Sequence, residues 1–223
     1  MKRSLALASR ETAVYPQLAV PGRRDLAELA SKVLIVSLFT LMAVRLGTDF
    51  LETGRLTGLL LVVSEALVVV LTVFRRDALA IDRSLSARVL TAVSLVGPPL
   101  VRPSSLAALA PETITVAVSA VGLIIVIAGK ASLGRSFGLM PANRGIVCSG
   151  LYQVVRHPIY LGYLICHVAF LAAHPSAWNI TLLIVADLGL MARAVCEEGT
   201  LALDAEYRAY QARVRWRVVP GVF

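Results

Sequence analysis

Two short stretches, Arg156-His157-Pro158-Ile159-Tyr160 and Glu197-Glu198-Gly199-Thr200-Leu201, flank an apolar segment long enough to enter a membrane and return. Arg, His and adjacent carboxylates are costly near hydrocarbon, so their clustering where two spanning helices meet water marks a polar pocket beside a lipid entrance. Such a pocket suits a charged cofactor and an apolar substrate together. A carboxylate such as Glu197 can neutralise an ammonium group, and a cation such as Arg156 or Arg193 can take a carboxylate through charge-assisted hydrogen bonds. Tyr152, Tyr160 and Tyr210 offer ring faces to a cation. His157 has the intrinsic pKa nearest to that of a general base, should the chemistry need one.

The elements that position these residues follow from composition. Of 223 residues, 57% are hydrophobic, and the mean hydropathy is +0.77. Soluble domains run at about 45–50% apolar. The chain therefore reads as an all-α, polytopic integral membrane bundle of about 5–6 spans, with a C-terminal helical hairpin and a cytoplasmic amphipathic cap helix. Apolar windows of spanning length fall near 31–51, 56–74, 85–101, 112–130, 158–173 and 176–195, the third broken at Gly97-Pro98-Pro99. Pro158 suits a first helical turn, where its missing N–H costs nothing. His174-Pro175-Ser176 turns the chain into the last span. From Glu197 to Val214 the sequence is polar, with Leu201, Tyr207, Tyr210 and Val214 at roughly helical spacing, as an interfacial helix requires. Three parts result: a cytoplasmic N-terminal segment (1–30), N-terminal transmembrane helices (31–129) and a core (130–223).

Charge placement orients this map. With both termini in the cytoplasm, all but Arg45, Arg55 and Arg102 of the 22 Lys and Arg fall inside, the asymmetry of the positive-inside rule. The net charge of +8 then reflects topology and attraction to anionic lipid. No zinc finger or basic aromatic groove points to nucleic acid. The first 25 residues have no apolar core, so the expectation is that there is no cleavable signal peptide and that the first span directs insertion.

Other polar residues carry weaker signals. Cys148, Cys166 and Cys196 form no CxxC pair and read as free thiols. The three His show no HxxxH or HExxH spacing, so no metal site is expected. Asn179-Ile180-Thr181 matches a glycosylation sequon only by letters, at the head of a span. Glu65 and Asp187 lie inside spans, and their expected role is to bond neighbouring helices or to pair with Arg45 or His167. No GxGxxG follows a strand, and no convincing strand is visible.

The series Gly150-x-Tyr152-x-x-x-Arg156-His157-Pro158-x-Tyr160-x-Gly162, then Arg193-x-x-x-Glu197-Glu198-x-x-Leu201, then Tyr207-x-x-Tyr210 and Pro220 resembles the isoprenylcysteine carboxyl methyltransferase family and its prokaryotic relatives over about residues 130–223. RHPxY alone is shared with membrane sterol reductases, but RHPxYxG followed by RxxxEExxL and YxxY is more specific. The resemblance implies an S-adenosylmethionine-dependent membrane methyltransferase. It implies cofactor contacts from Arg144, Gly145, Ile146 and Val147, then Tyr152, then His157, Pro158, Ile159 and Tyr160, with Glu197 closing the pocket. Arg193 is implied at the substrate, and Arg193 and His157 as the catalytic pair. The chain departs from the family in having Leu203-Asp204-Ala205 where a Phe-Gly pair is usual, and in a shorter acidic run.

Methyl transfer from a sulfonium is an in-line displacement that depends chiefly on positioning. A carboxylate acceptor needs no general base; an amine or thiol does. The leading expectation is methyl transfer to a lipophilic acceptor (a prenylcysteine-like carboxylate, lipid amine or thiol) at the cytoplasmic face of the cell membrane. The alternative is an NADPH-dependent reductase of an isoprenoid or sterol double bond, and a third reading is a non-catalytic scaffold. The expected partners are a lipophilic or lipidated substrate and membrane lipids, without nucleic acid; the oligomeric state is left open.

Overall fold

The computed structural model describes residues 18–19, 26–53, 56–104 and 106–223. Seven helices carry the architecture: α1 (Leu26–Thr53), α2 (Leu56–Phe74), α3 (Leu85–Val96), α4 (Glu112–Leu133), α5 (Pro158–Ala173), α6 (Ala177–Leu201) and α7 (Ala205–Arg213). Four segments, Lys32–Glu52, Thr57–Phe74, Glu112–Ser136 and Ala177–Leu201, are long and apolar enough to cross a membrane; Leu85–Leu100 and Pro158–Ala173 are shorter apolar helices. The all-α membrane architecture stands, with four helices of spanning length and two shorter apolar ones. Val70, Ile124, Val168 and Leu188 lie exposed on the bundle, as expected where the surrounding solvent is as apolar as they are.

The two arms of the C-terminal hairpin pack on different neighbours. α5 lies along α4, where the backbones approach so closely that a Cβ on Gly162 would sit 2.6 Å from the Gly122 carbonyl. α6 lies along α3, where a Cβ on Gly189 would meet Val93 at 2.9 Å. Small residues permit such close helix approach in lipid. α5 and α6 therefore diverge from their shared turn.

Asn179, at the head of α6, locks that turn. It is fully buried, its amide donates to the carbonyls of Arg102 (2.8 Å) and His174 (2.9 Å), and its Oδ1 accepts from Arg102 N–H. Every polar atom of the sequon Asn is thus engaged in holding two loops together.

Two pairs of ionisable side chains join the apolar helices. His167 Nδ1 lies 2.6 Å from Asp187 Oδ1, joining α5 to α6. Glu65 takes neither Arg45 nor His167: its neighbour is Lys130, at 3.9 Å. The Lys130 ammonium also donates to the Ser64 hydroxyl (2.8 Å) and carbonyl. Lys130 is therefore buried between α2 and α4 and does not sit with the aqueous cations, because an unpaired ammonium at that depth would be costlier than one held by α2.

Two expectations change at the polar end. Three short antiparallel segments, β1 (Leu18–Ala19), β2 (Ala80–Asp82) and β3 (Ala142–Asn143), pair through Leu18 with Asp82 and Ala80 with Asn143. Strands of two or three residues are too short to show periodicity, which hides them from sequence patterning. The continuous interfacial helix expected over 197–214 is in fact divided. α6 runs on through Leu201, since Gly199 alone does not stop it, and α7 starts only after Asp204, whose Oδ1 caps it by accepting Glu206 N–H. Arg193 and Glu197 consequently share one face of α6, a turn apart.

Candidate active site

The site forms where α5 begins and α6 ends. Pro158 opens α5 without an N–H to satisfy, and the two residues before it are held from outside the helix. Arg156 N–H donates to the Trp216 carbonyl (2.9 Å) and His157 N–H to the Arg217 carbonyl (2.7 Å). The tail following α7 is thereby laid against the first turn of α5. This fixes the direction of the His157 and Tyr160 side chains, whose rings stack at 5.0 Å and 16°.

Across the cleft, α6 presents Arg193 and Glu197. The Tyr160 hydroxyl donates to Glu197 Oε2 at 2.8 Å. The Arg193 guanidinium lies over the Tyr160 ring at 5.6 Å and donates through Nη2 to the Leu139 carbonyl. Arg193 is 5% exposed, and among the described residues its Nε–H has no hydrogen-bond acceptor. A buried guanidinium N–H without a partner costs on the order of 1–3 kcal/mol or more, so the group is poised for an anion.

The loop between α4 and α5 forms the roof. Gly145 has φ +98°, a conformation open to glycine at little cost, and Asn143 Oδ1 accepts its N–H. Gly138 lies so close to the Arg144 guanidinium that a Cβ there would fall 2.4 Å from Nη1. A cap closes the remaining side. Tyr152, Tyr207, Tyr210 and Val214 form one buried cluster against Ile146, Val147, Cys148 and Leu201, and the Tyr210 hydroxyl donates to the Tyr152 carbonyl at 2.7 Å. The residues spaced for an interfacial helix therefore bury against protein. Burial also raises the pKa of the Tyr152 hydroxyl well above its usual value, with the nearby Glu197 charge adding to the effect; it stays neutral and acts as a donor or a stacking face.

These walls enclose a cleft of about 110 Å³. Arg144, Gly145, Ile146, Val147, Tyr152, His157, Ile159, Tyr160, Arg193 and Glu197 all line it. Pro158, the remaining residue of the expected set, does not; it is buried against α4 beside Gly129. The sequence reading missed the roof residues Phe137 to Met140, together with Leu95 on α3 and Tyr163 on α5, which also line the cleft. No charge or motif distinguishes them in sequence. Among the described residues no group of His, Cys, Asp and Glu could hold a metal, and all three cysteines are free thiols.

The structure also separates two expected cations. Arg156 is committed internally: Nε and Nη2 donate to Glu198 (2.7 and 3.1 Å), and Nη1 donates to the carbonyls of Val214 and Arg215. Four of its five N–H groups are engaged within the protein, so Arg193 is the better placed of the two for a ligand carboxylate. His157 Nε2 lies 3.3 Å from Glu198 Oε1. A carboxylate flanked by guanidiniums only accepts, so Nε2 carries the proton and Nδ1 is the nitrogen that can accept one. The second carboxylate of the pair, to which the sequence analysis gave no role, is the partner of both.

Residues 113–203 match a family model described as the isoprenylcysteine carboxyl methyltransferase family. No curated protein and no solved structure matches the chain. The match covers α4, the roof loop, the divergent α5–α6 arms, and the Arg193 and Glu197 wall. Over residues 113–203 the chain is therefore similar to the isoprenylcysteine carboxyl methyltransferase family, a family of membrane methyltransferases.

Proposed function

We propose that the protein transfers a methyl group from S-adenosylmethionine to the carboxylate of a lipophilic acceptor at the cytoplasmic face of the cell membrane. The observation that carries this reading is the buried Arg193, whose Nε–H has no acceptor, set beside a cleft that continues to the apolar Leu95 and Tyr163. An anionic head attached to an apolar body satisfies both. A carboxylate acceptor, unlike an amine or a thiol, needs no general base.

The residues present fit the cofactor. Glu197, with one oxygen on Tyr160, would take the ammonium group through the other. Arg144 to Val147 and Tyr152 would wall the adenosine, and His157, Ile159 and Tyr160 the sulfonium side, where an aromatic face favours a cation. When bound, the cofactor supplies an electrophilic methyl on sulfur. Arg193 holds the acceptor's carboxylate in line, the Tyr160 hydroxyl keeps Glu197 oriented, and the tyrosine cap excludes water; positioning of this kind lowers the barrier without a covalent intermediate. Residues 130–223 make up this core, with 1–30 and 31–129 as its cytoplasmic lead and N-terminal membrane anchor. Both termini are placed in the cytoplasm.

The test uses protein purified in detergent. S-adenosylhomocysteine should raise the unfolding temperature saturably, because a ligand bound only by the folded state stabilises it, and NADPH should not. Membranes supplied with methyl-labelled S-adenosylmethionine should yield a base-labile methyl ester. Stabilisation by NADPH alone, or label in base-stable lipid, overturns the reading.

A further inference from the structure

The machinery described so far uses one carboxylate of the Glu197-Glu198 pair. The other is 3% exposed and gathers four side chains from three parts of the chain. Its Oε1 accepts from Arg156 Nε at 2.7 Å and lies 3.3 Å from His157 Nε2. Its Oε2 accepts from Arg156 Nη2 (3.1 Å), Arg217 Nε (2.9 Å) and Gln211 Nε2 (3.2 Å). Arg156 and His157 precede α5, Gln211 is on α7, and Arg217 is in the tail beyond it.

The geometry has two consequences. His157 is fixed from behind by Glu198 while its ring stacks on Tyr160, so the orientation of two cleft-wall rings depends on a group that is itself outside the cleft. The cap and tail are tied to the same two oxygens. A buried charge with this many partners is strongly destabilising to break, because the survivors are left uncompensated in a poorly solvating site. Position and closure therefore share one anchor.

We infer that Glu198 is a positioning residue that couples cap closure to the shape of the cleft wall, holding α7 and the tail through Gln211 and Arg217 while it sets His157 and Arg156. The inference rests on the proposed function for its catalytic meaning, but the coupling itself requires no ligand. When the cap is shut, the wall is set. When the carboxylate is lost, the cap lifts and the Tyr160 face loses its backing in one event.

Two native thiols report on this. Cys148 packs against the tyrosine cluster under the cap, and burial pushes its pKa up, with Arg213 opposing the shift; both features slow its alkylation. Cys196 lies on α6 beside Asp82, at 3.4 Å, outside that cluster, so it reports fraying of the helix end. In the full-length protein, Glu198→Gln should speed modification of Cys148 by a water-soluble maleimide about tenfold or more, the scale of losing a hydrogen bond to a charged group. Cys196 should change less than about twofold, the size of effects from sites that are not coupled. The apparent Kd for S-adenosylhomocysteine should rise in step with the Cys148 rate, and Glu198→Asp should recover part of both.

Equal acceleration of the two thiols means a merely structural role and overturns the inference. So does a Cys148 that opens without any change in S-adenosylhomocysteine affinity. Should Glu198→Gln not fold, Arg217→Gln and Gln211→Ala leave the Arg156 pair intact, and they must still release Cys148 selectively; an unchanged Cys148 rate in both is equally fatal. A parent protein that binds no S-adenosylhomocysteine removes the proposed function instead, and the ligand-free labelling still decides whether Glu198 holds the cap.

Discussion

Glu197 and Glu198 are neighbours in sequence and opposites in structure. Glu198 is saturated: two guanidiniums, an imidazole and an amide converge on it. Glu197, one residue earlier, is engaged through Oε2 by the Tyr160 hydroxyl and lines the cleft beside Arg193, whose Nε–H has no acceptor. A rotation of 100° per residue puts adjacent side chains on different faces of a helix. One face looks toward the clasp behind α5, the other into the cleft. Polar groups that are fully satisfied hold the fold, and those left with spare capacity are the ones a ligand can complete.

This contrast can be broken experimentally, beginning with its largest consequence. Arg156→Ala leaves the Glu198 charge buried with fewer partners and should cost about 3–5 kcal/mol of stability, read from unfolding in detergent. Glu197→Gln should leave unfolding within about 0.5 kcal/mol of the parent, as for changes outside packed networks. If the two variants unfold alike, the division between clasp and cleft is wrong.

On the cleft side, Glu197→Gln should weaken S-adenosylhomocysteine by about 1.5–3 kcal/mol, the range for hydrogen bonds to charged groups, measured by calorimetry. Unchanged affinity would remove Glu197 from the donor site. Arg193→Ala should lower kcat/KM for the acceptor by about 2 kcal/mol, roughly 30-fold, while S-adenosylhomocysteine binding stays near that of the parent. Loss of cofactor binding in this variant would place Arg193 on the wrong ligand. The smallest effect belongs to the cap: Tyr210→Phe deletes only the hydroxyl bonded to the Tyr152 carbonyl and should cost about 1 kcal/mol, visible as modestly faster Cys148 labelling.

A second contrast runs along the hairpin. Near its turn, Asn179 closes the loops with three hydrogen bonds, and His167 meets Asp187 at 2.6 Å. Near its open end the arms follow separate neighbours, α4 and α3, and the space between them is spanned by long side chains such as Arg193, Tyr160 and Glu197. The closed end is filled by packing; the open end holds the cleft.

The sequence by itself determined the solvent of this protein and pointed to part of its cleft wall. Apolar windows of spanning length, interrupted by clustered Arg, His and Glu, have few physical solutions other than a helical membrane bundle with a polar pocket at one end, and all but one of the expected site residues do line one cleft. Pro158 was the exception because a helix-starting proline shows in sequence as part of a motif whether its ring faces a ligand or a neighbouring helix. Only tertiary structure decided which charges were free. Arg156 and Arg193, or Glu197 and Glu198, are chemically equivalent as letters, and their roles differ because of partners 40 to 60 residues away in the chain: Glu198 and Val214 for Arg156, Leu139 for Arg193. The divided cap, the thin sheet and the Lys130 pairing with Glu65 are likewise set by long-range contacts. Local patterning reports the face a residue occupies; the energy of a buried charge depends on what stands opposite it.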